Sequence, residues 1–357
     1  MSEYQLYVNS MSPYSAKASA MLGYAGIDCT ETTQTAVNRF ATILRLTGDT
    51  MVPVLRRGEW AINDSTHIAE WAMERSERPV LPEREELAAL CWLLEEFADE
   101  WVSKVVMASR WLHAEDRRDV SERIGDELVG LPGLATLAGK GTARAIRTSL
   151  VPAGISATNR SVLERSQGRL LQALESLLED EPRFLFCDHP TVADFAFYGQ
   201  LEQFGADPSG ARVLRIYPNV REYLDHIDAM TLPHALVRPA EGGRRALSAL
   251  RGLFAEFLGT YWPVLVTNHE AVHQSRRPER VSARMLDGEE FEFKPSGYVV
   301  GRLSFVLEQI DRAYGRQETL FGQNGLEIEQ GIVTQIARLV ETPAGRELLE
   351  AYPNIGA

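Results

Sequence analysis

Three short motifs in the first 70 residues carry side chains that could do chemistry together. Ser12-Pro13-Tyr14-Ser15-Ala16-Lys17 places a hydroxyl before a proline, just after an apolar run. Val52-Pro53-Val54-Leu55 places a proline at the head of an aliphatic run, and Asp64-Ser65-Thr66-His67-Ile68 places a carboxylate and a hydroxyl at a helix start. A helix N-terminus offers unpaired N–H groups and partial positive charge, so it receives anions. In this order the motifs describe a pocket for a small peptide-like anion, which implies a cosubstrate. Each also has a plainer reading. Ser12 is a good helix cap. Pro53 fits an edge strand or a bulge, or a cis-proline that turns the Val52 backbone towards a ligand. A fourth pattern, His269-Glu270-Ala271-Val272-His273, would put two histidines on one helical face, where zinc could bind with Glu270 as base. So short a pattern recurs by chance, no third ligand stands out, and no long amphipathic helix precedes it. It reads as a polar helix face, and no metal is expected.

The elements that must position these groups follow from periodicity. Tyr4–Val8 alternates as a strand. Ala16–Tyr24 reads as helix with small residues for close packing, stopped by Gly26, and Ile27–Thr30 as a second strand. Residues 36–46 look helical. Met51–Leu55 starts a strand, Arg56–Glu59 is a turn, and Trp60–Ile62 returns. Asp64 or Ser65 then caps a helix with Ile68, Ala69, Trp71 and Ala72 inward. This β-α-β-α-β-β-α order is that of a thioredoxin-like α/β domain.

Composition limits the function. With 357 residues there is room for two or three domains, and 45% hydrophobic with 24% charged residues is ordinary for a soluble globular protein. The net charge of -13 disfavours nucleic acid as a partner. No apolar run approaches the roughly 20 residues of a membrane span, and the N-terminus does not read as a signal peptide. Cys29, Cys91 and Cys187 are far apart and form no metal-ligand pattern, which suits reduced thiols in a cytoplasm.

On the three motifs, residues 4 to about 80 resemble the N-terminal domain of the glutathione transferase superfamily. Ser12-Pro13-Tyr14 is similar to the Ser-Pro-Phe of tau-class and the Cys-Pro-Phe of omega-class enzymes. Val52-Pro53-Val54-Leu55 is similar to the cis-proline strand, and Ile62-Asn63-Asp64-Ser65 to the Glu/Asp-Ser turn. The resemblance implies glutathione as cosubstrate and a hydrophobic electrophile as its partner in reaction. It implies that Ser12 activates the thiol, because a hydroxyl donating to sulfur lowers a thiol pKa of about 8.5 and the adjoining helix end adds to the effect. It implies that Val52, ahead of Pro53, pairs its backbone with the cysteinyl part, and that Asp64 and Ser65 hold the γ-glutamyl amino and carboxylate groups. Tyr14 and Ser15 are alternative hydroxyls, with Tyr14 the better packing residue, and Tyr7 reads as core. Serine in place of the omega-class cysteine disfavours disulfide exchange. No residue here clearly matches the basic group that often meets the glycine carboxylate. Conjugation, dehalogenation, ether cleavage and isomerisation are all open. The alternative is a non-catalytic binding or assembly protein on the same fold, and a homodimer is implied by the family alone.

Beyond a linker at Pro79–Glu83, residues 84–235 read as the family's all-helical domain. Glu85–His113 carries an apolar stripe at 87, 90, 94, 97, 101, 105, 108 and 112. Its acids, including Glu95, Glu96 and Asp99, read as a solvated face. By resemblance this helix lines the cleft, so Asp99, Trp101 and Trp111 are candidate substrate contacts alongside Tyr14. Residues 130–156 read as a loop or short helices, and Gly139-Lys140-Gly141-Thr142 lacks the spacing of a phosphate loop. Thr191-Val192-Ala193-Asp194 is a capping box with a role in folding. Residues 236–357 form an extra, mostly helical extension: Ala246–Trp262 as helix broken by Pro263, a hairpin around Asp287-Gly288, and Gly297–Tyr314 as an amphipathic helix.

Overall fold

The computed structural model describes residues 2–129, 134–180, 183–231, 247–285 and 287–314. The first part runs β1 (Tyr4–Val8), α1 (Pro13–Tyr24), β2 (Cys29–Thr33), α2 (Ala36–Asn38), a π-turn at Arg39–Ile43, α3 (Leu44–Thr47), β3 (Val54–Arg57), β4 (Trp60–Asn63) and α4 (Ser65–Met73). The sheet order is β2-β1-β3-β4, with β1 and β2 parallel and the other pairs antiparallel. Two boundaries shift from expectation. Gly26, at φ 72°, reverses the chain after α1, and pairing then starts at Tyr4↔Cys29, so Ile27 and Asp28 are connection. Arg56 and Arg57 belong to β3, because Arg57 pairs with Trp60 and only Gly58-Glu59 turns.

The helical part comprises α5 (Glu85–Phe97), a π-turn at Ala98–Val102, α6 (Ser103–Leu112), α7 (Ala114–Val129), α8 (Leu134–Leu150), α9 (Arg160–Leu177), α10 (Val192–Gly205), α11 (Pro208–Leu214) and α12 (Pro218–Thr231). Helix α8, continuous over Leu134–Leu150, corrects the expectation of a loop or short helices at 130–156. Gly139 suits this helix because α7 lies against it: a Cβ there would stand 2.0 Å from the Ser121 carbonyl oxygen. Helix α10 is apolar nearly all round and buried. At its start Asp194 accepts from the Thr191 N–H (2.8 Å), the Leu185 N–H (2.9 Å) and the Tyr223 hydroxyl (3.1 Å), as a folding role requires.

The extension contributes α13 (Arg251–Glu256), a π-turn at Phe257–Tyr261, α14 (Trp262–Val272), the hairpin β5 (Val281–Arg284) and β6 (Glu290–Phe293), and α15 (Gly297–Tyr314). Pro263 does not break the helix. It occupies the first turn of α14, where a missing N–H costs little, so the chain stays helical to Val272. Leu303 and Val306 are buried on α15, while the Leu307 and Ile310 side chains, like Ala246, lie outside the described residues. One apolar core joins the sheet (Leu6, Leu55) through Phe97 and Phe197 to Phe257 and Phe291 of the extension. Buried polar bonds fix the join: Asn159 Nδ2 donates to the Glu292 carbonyl (2.7 Å), the Glu292 N–H to Asn159 Oδ1 (3.0 Å), and the Tyr261 hydroxyl to Glu96 (2.7 Å).

Candidate active site

Strand register brings the three motifs to one end of the sheet. Tyr7 pairs with Val54 and Val54 with Asn63. The segment leading from β1 to Ser12, the Val52-Pro53 turn before β3 and the Asp64-Ser65 turn after β4 therefore leave the sheet side by side. The Val52-Pro53 peptide is cis.

Ser12 is the N-cap of α1. Its oxygen accepts the Ser15 N–H at 3.3 Å, which leaves the hydroxyl proton available. Of the alternative hydroxyls, the Tyr14 hydroxyl donates its proton to the Asp99 carbonyl (2.9 Å), whereas Ser15 is buried and, like Ser12, accepts one N–H, that of Asn9 (3.2 Å). Burial, and then the Glu100 and Asp99 charges, raise the Tyr14 phenol above its ordinary range. Tyr7 is a buried strand residue whose hydroxyl meets Gln5 (3.0 Å).

Asp64 caps α4, accepting the Thr66 N–H at 2.8 Å through Oδ1. Its φ is 79°, the one positive φ of a non-glycine among the described residues. Such a backbone costs about 1–3 kcal/mol and is concentrated at ligand sites. Among the described residues nothing bonds to the Ser65 hydroxyl, the Ser65 N–H, the second Asp64 oxygen, or the Val52 N–H and carbonyl. A cation that sequence reasoning missed also stands here. Arg39 donates to Thr50 (3.1 Å), two residues before Val52. It lies in the 36–46 stretch, whose charge had no local pattern to mark it.

The loop carrying Ser12 is clamped from the helical part. Arg110 Nη1 donates to the Met11 carbonyl (2.6 Å), Gln203 Nε2 to the Ser10 carbonyl (3.0 Å), and the Ser10 hydroxyl to Glu127 (3.0 Å). Arg110 is itself buried against Asp207 at 2.6 Å, which also meets Arg123 at 2.5 Å.

Glu95 and Glu96 of α5 and Asp99 of the π-turn after it are not a solvated face. Glu95, Glu96 and Asp99 are buried because α1 and α4 pack on one side of the helix and the extension on the other. Lys17 Nζ lies 2.5 Å from Glu95 and 2.6 Å from Asp99, and the Thr66 hydroxyl donates to Glu95 (2.6 Å). Burial pulls the Lys17 pKa down, but the two carboxylates outweigh it and the net shift is upward. Burial raises Asp99 to about 7, against the opposing pull of Lys17 and with help from Glu95. Asp99 thus sits just behind the Ser65-Thr66 helix end, tied to Lys17. Trp101 does not face a cleft. It is sealed under the extension, with its N–H on Ser166 (2.8 Å) and its ring 5.1 Å from Phe291. Trp111 is buried with Met11, Val120 and Ile124.

Ser12 borders a groove of about 970 Å³ between α1, β2 and α10, with Ser19, Glu31, Tyr198 and Glu202 also in its walls. Val52, Pro53, Asp64 and Ser65 do not line it.

The His269 and His273 rings are 4.3 Å apart on and just past α14, so the pattern does lie at a helix face. His273 Nδ1 is occupied by the His269 carbonyl (2.8 Å), and no third ligand joins them among the described residues. No helix of the described residues is long and apolar enough to cross a membrane.

The glutathione S-transferase N-terminal domain matches residues 6–80, and the glutathione S-transferase C-terminal domain matches 162–226. No curated protein matches the chain. Among solved structures, a GST-like protein from Pseudomonas syringae has 20% identity and a TM-score of 0.47, over 64% of this chain and 68% of that one. The beta-etherase LigF from Sphingobium sp. strain SYK-6 has 18% identity and a TM-score of 0.47, over 64% and 95%. A glutathione S-transferase from Methylobacterium radiotolerans, in complex with glutathione sulfonate, has 19% identity and a TM-score of 0.44, over 67% and 98%. With an N-terminal domain at 6–80 and the 162–226 part of a C-terminal domain, the chain belongs to the glutathione transferase superfamily.

Proposed function

We propose that this protein is a glutathione-dependent transferase that activates the glutathione thiol for attack on a hydrophobic electrophile. The observation that carries this reading is the set of unclaimed polar groups at one end of the sheet. Main-chain groups of Val52 suit the cysteinyl backbone of a peptide. The second Asp64 oxygen suits an ammonium. The Ser65 hydroxyl and N–H, at the positive end of α4, suit a carboxylate. Arg39 suits a second carboxylate at the far end. The Ser12 hydroxyl, with its proton available, donates to the sulfur. That bond and the N-terminus of α1 favour thiolate over thiol, and thiolate is the nucleophile. The electrophile then takes the sulfur lone pair and loses its leaving group, or opens a bond, according to its chemistry.

Calorimetric titration of glutathione into wild type and Ser65→Ala tests this. Wild type should bind, and the variant should bind about tenfold more weakly, as expected for loss of one hydrogen bond to a charged group. No binding at millimolar glutathione overturns the enzyme reading and leaves a fold used for binding or assembly.

A further inference from the structure

Helices α7 and α8 lie between the two matched family domains and form a hairpin of their own. They pack closely at Gly125 and Gly139. A Cβ on Gly125 would lie 2.0 Å from the Ala135 carbonyl oxygen. Along the outer side of this contact runs a groove of about 520 Å³ lined by Arg117, Arg118, Lys140, Arg144 and Arg147, with Glu122 as its one carboxylate. Arg118 pairs with Glu122 at 3.2 Å, and Arg117 donates to the Trp111 carbonyl at 3.3 Å. Lys140, Arg144 and Arg147 have no acidic partner among the described residues, and their spacing of four and three puts them on one face of α8. Arg147 alone has a simple explanation, since it lies in the last turn of α8 and offsets the helix dipole. Five cations against one acid is unusual concentration in a chain of net charge -13. The lysine is the one in Gly139-Lys140-Gly141-Thr142. It works from a helix face and not from a phosphate loop.

A second cavity, of about 510 Å³, adjoins the first and shares Arg144 and Arg147 with it. Its other walls are mostly apolar and include Trp111, Leu112, Leu150, Val151 and Ile155. Trp111 is 3% exposed and its indole N–H has no acceptor, although a buried indole N–H ordinarily finds one. Ser12 lines neither cavity.

We propose that these two cavities form one site for a small amphipathic anion, with a phosphate, carboxylate or sulfonate head on an aliphatic or aromatic body. Arg144, Arg147 and Lys140 take the head, with the arginine forks suited to oxyanion geometry. The apolar cavity beside Trp111 takes the body. The inference is independent of the chemistry at Ser12.

Decyl phosphate, inorganic phosphate and decanol are the probes, each titrated into the full chain in low salt. Decyl phosphate should bind at least tenfold more tightly than either of the others, because only it fills both cavities. Raising the salt from about 50 to about 300 mM should weaken it, as expected for exposed charges. Arg144→Glu/Arg147→Glu should weaken it at least tenfold, and Arg144→Gln/Arg147→Gln should weaken it by less. All four side-chain changes are on exposed positions, and unchanged circular dichroism and melting would show that the fold is kept. Equal binding of decyl phosphate by wild type and both variants overturns the site. So does binding of phosphatidylglycerol vesicles without binding of free decyl phosphate, which would make the face a membrane contact.

Discussion

Two layers of this molecule lie a few residues apart and treat polar groups in opposite ways. At the end of the sheet, Ser12, Val52, Asp64 and Ser65 keep donors and acceptors that no described residue uses. In the layer behind, Lys17 is held by Glu95 and Asp99, and Arg110 by Asp207, Gln203 and the Met11 carbonyl. Burying an unpaired charge is expensive, so each charged side chain of the inner layer has an opposite partner, although Asp99 Oδ1 has no hydrogen bond. The outer layer can leave groups open only where water or a ligand reaches them. The inner layer fixes the backbone at Met11 and Thr66, and so sets where the open groups of the outer layer point.

The contrast can be broken most strongly from inside. Arg110→Met leaves Asp207 buried with Arg123 alone and should cost about 3–5 kcal/mol in urea denaturation. A cost below about 1 kcal/mol would erase the distinction between the layers. Ser12→Ala acts on the outer layer. It should lower turnover about a hundredfold, in the range for losing one donor to a developing or stabilised anion, and raise the pKa of bound glutathione as read by thiolate absorbance. Its stability should fall by only about 1 kcal/mol, the worth of a helix cap. A stability loss with no change in thiolate absorbance would reduce Ser12 to that cap.

Protonation sharpens the comparison further. Asp99 titrates at about 7 in the folded protein against about 3.9 when unfolded. The folded state therefore holds this proton to higher pH. The stabilisation is complete below about pH 4 and is lost as pH rises through 7. Between pH 5 and pH 8 the wild type should lose on the order of 2 kcal/mol, and Asp99→Asn should flatten that slope. A wild type that gains stability over this range would show that Asp99 is ionised throughout. The smallest effect is the tenfold loss of glutathione affinity in Ser65→Ala, about 1.4 kcal/mol. It should leave the urea midpoint nearly unchanged, since the Ser65 hydroxyl has no partner among the described residues.

Much of the first domain was legible because its signals are local. Alternation marked β1, the Gly58 turn marked the hairpin, and Asp64-Ser65 marked the start of α4. Ser12, Val52 and Asp64 stand at strand and helix ends, and ends leave signatures in turn and capping residues. Glu95, Glu96 and Asp99 were misread for the opposite reason. Nothing in Glu95, Glu96 and Asp99 announces that Lys17, Tyr261 and Arg302 arrive from 78, 165 and 206 residues away. Trp101 was placed in a cleft because its helix lines one by resemblance, but the hairpin of the extension covers it. Pro263 and Gly139 were read by propensity, which a helix start and a close helix contact respectively override.

The sequence by itself determined the order of elements, the three motifs and their capping chemistry, because each depends on neighbours within a few residues. Only the tertiary structure decided that the motifs emerge at one sheet end, that the acids behind them are buried and paired, and that five cations gather between α7 and α8. Those outcomes depend on strand register and on helix packing, which join residues far apart along the chain and leave no mark in any short stretch of it.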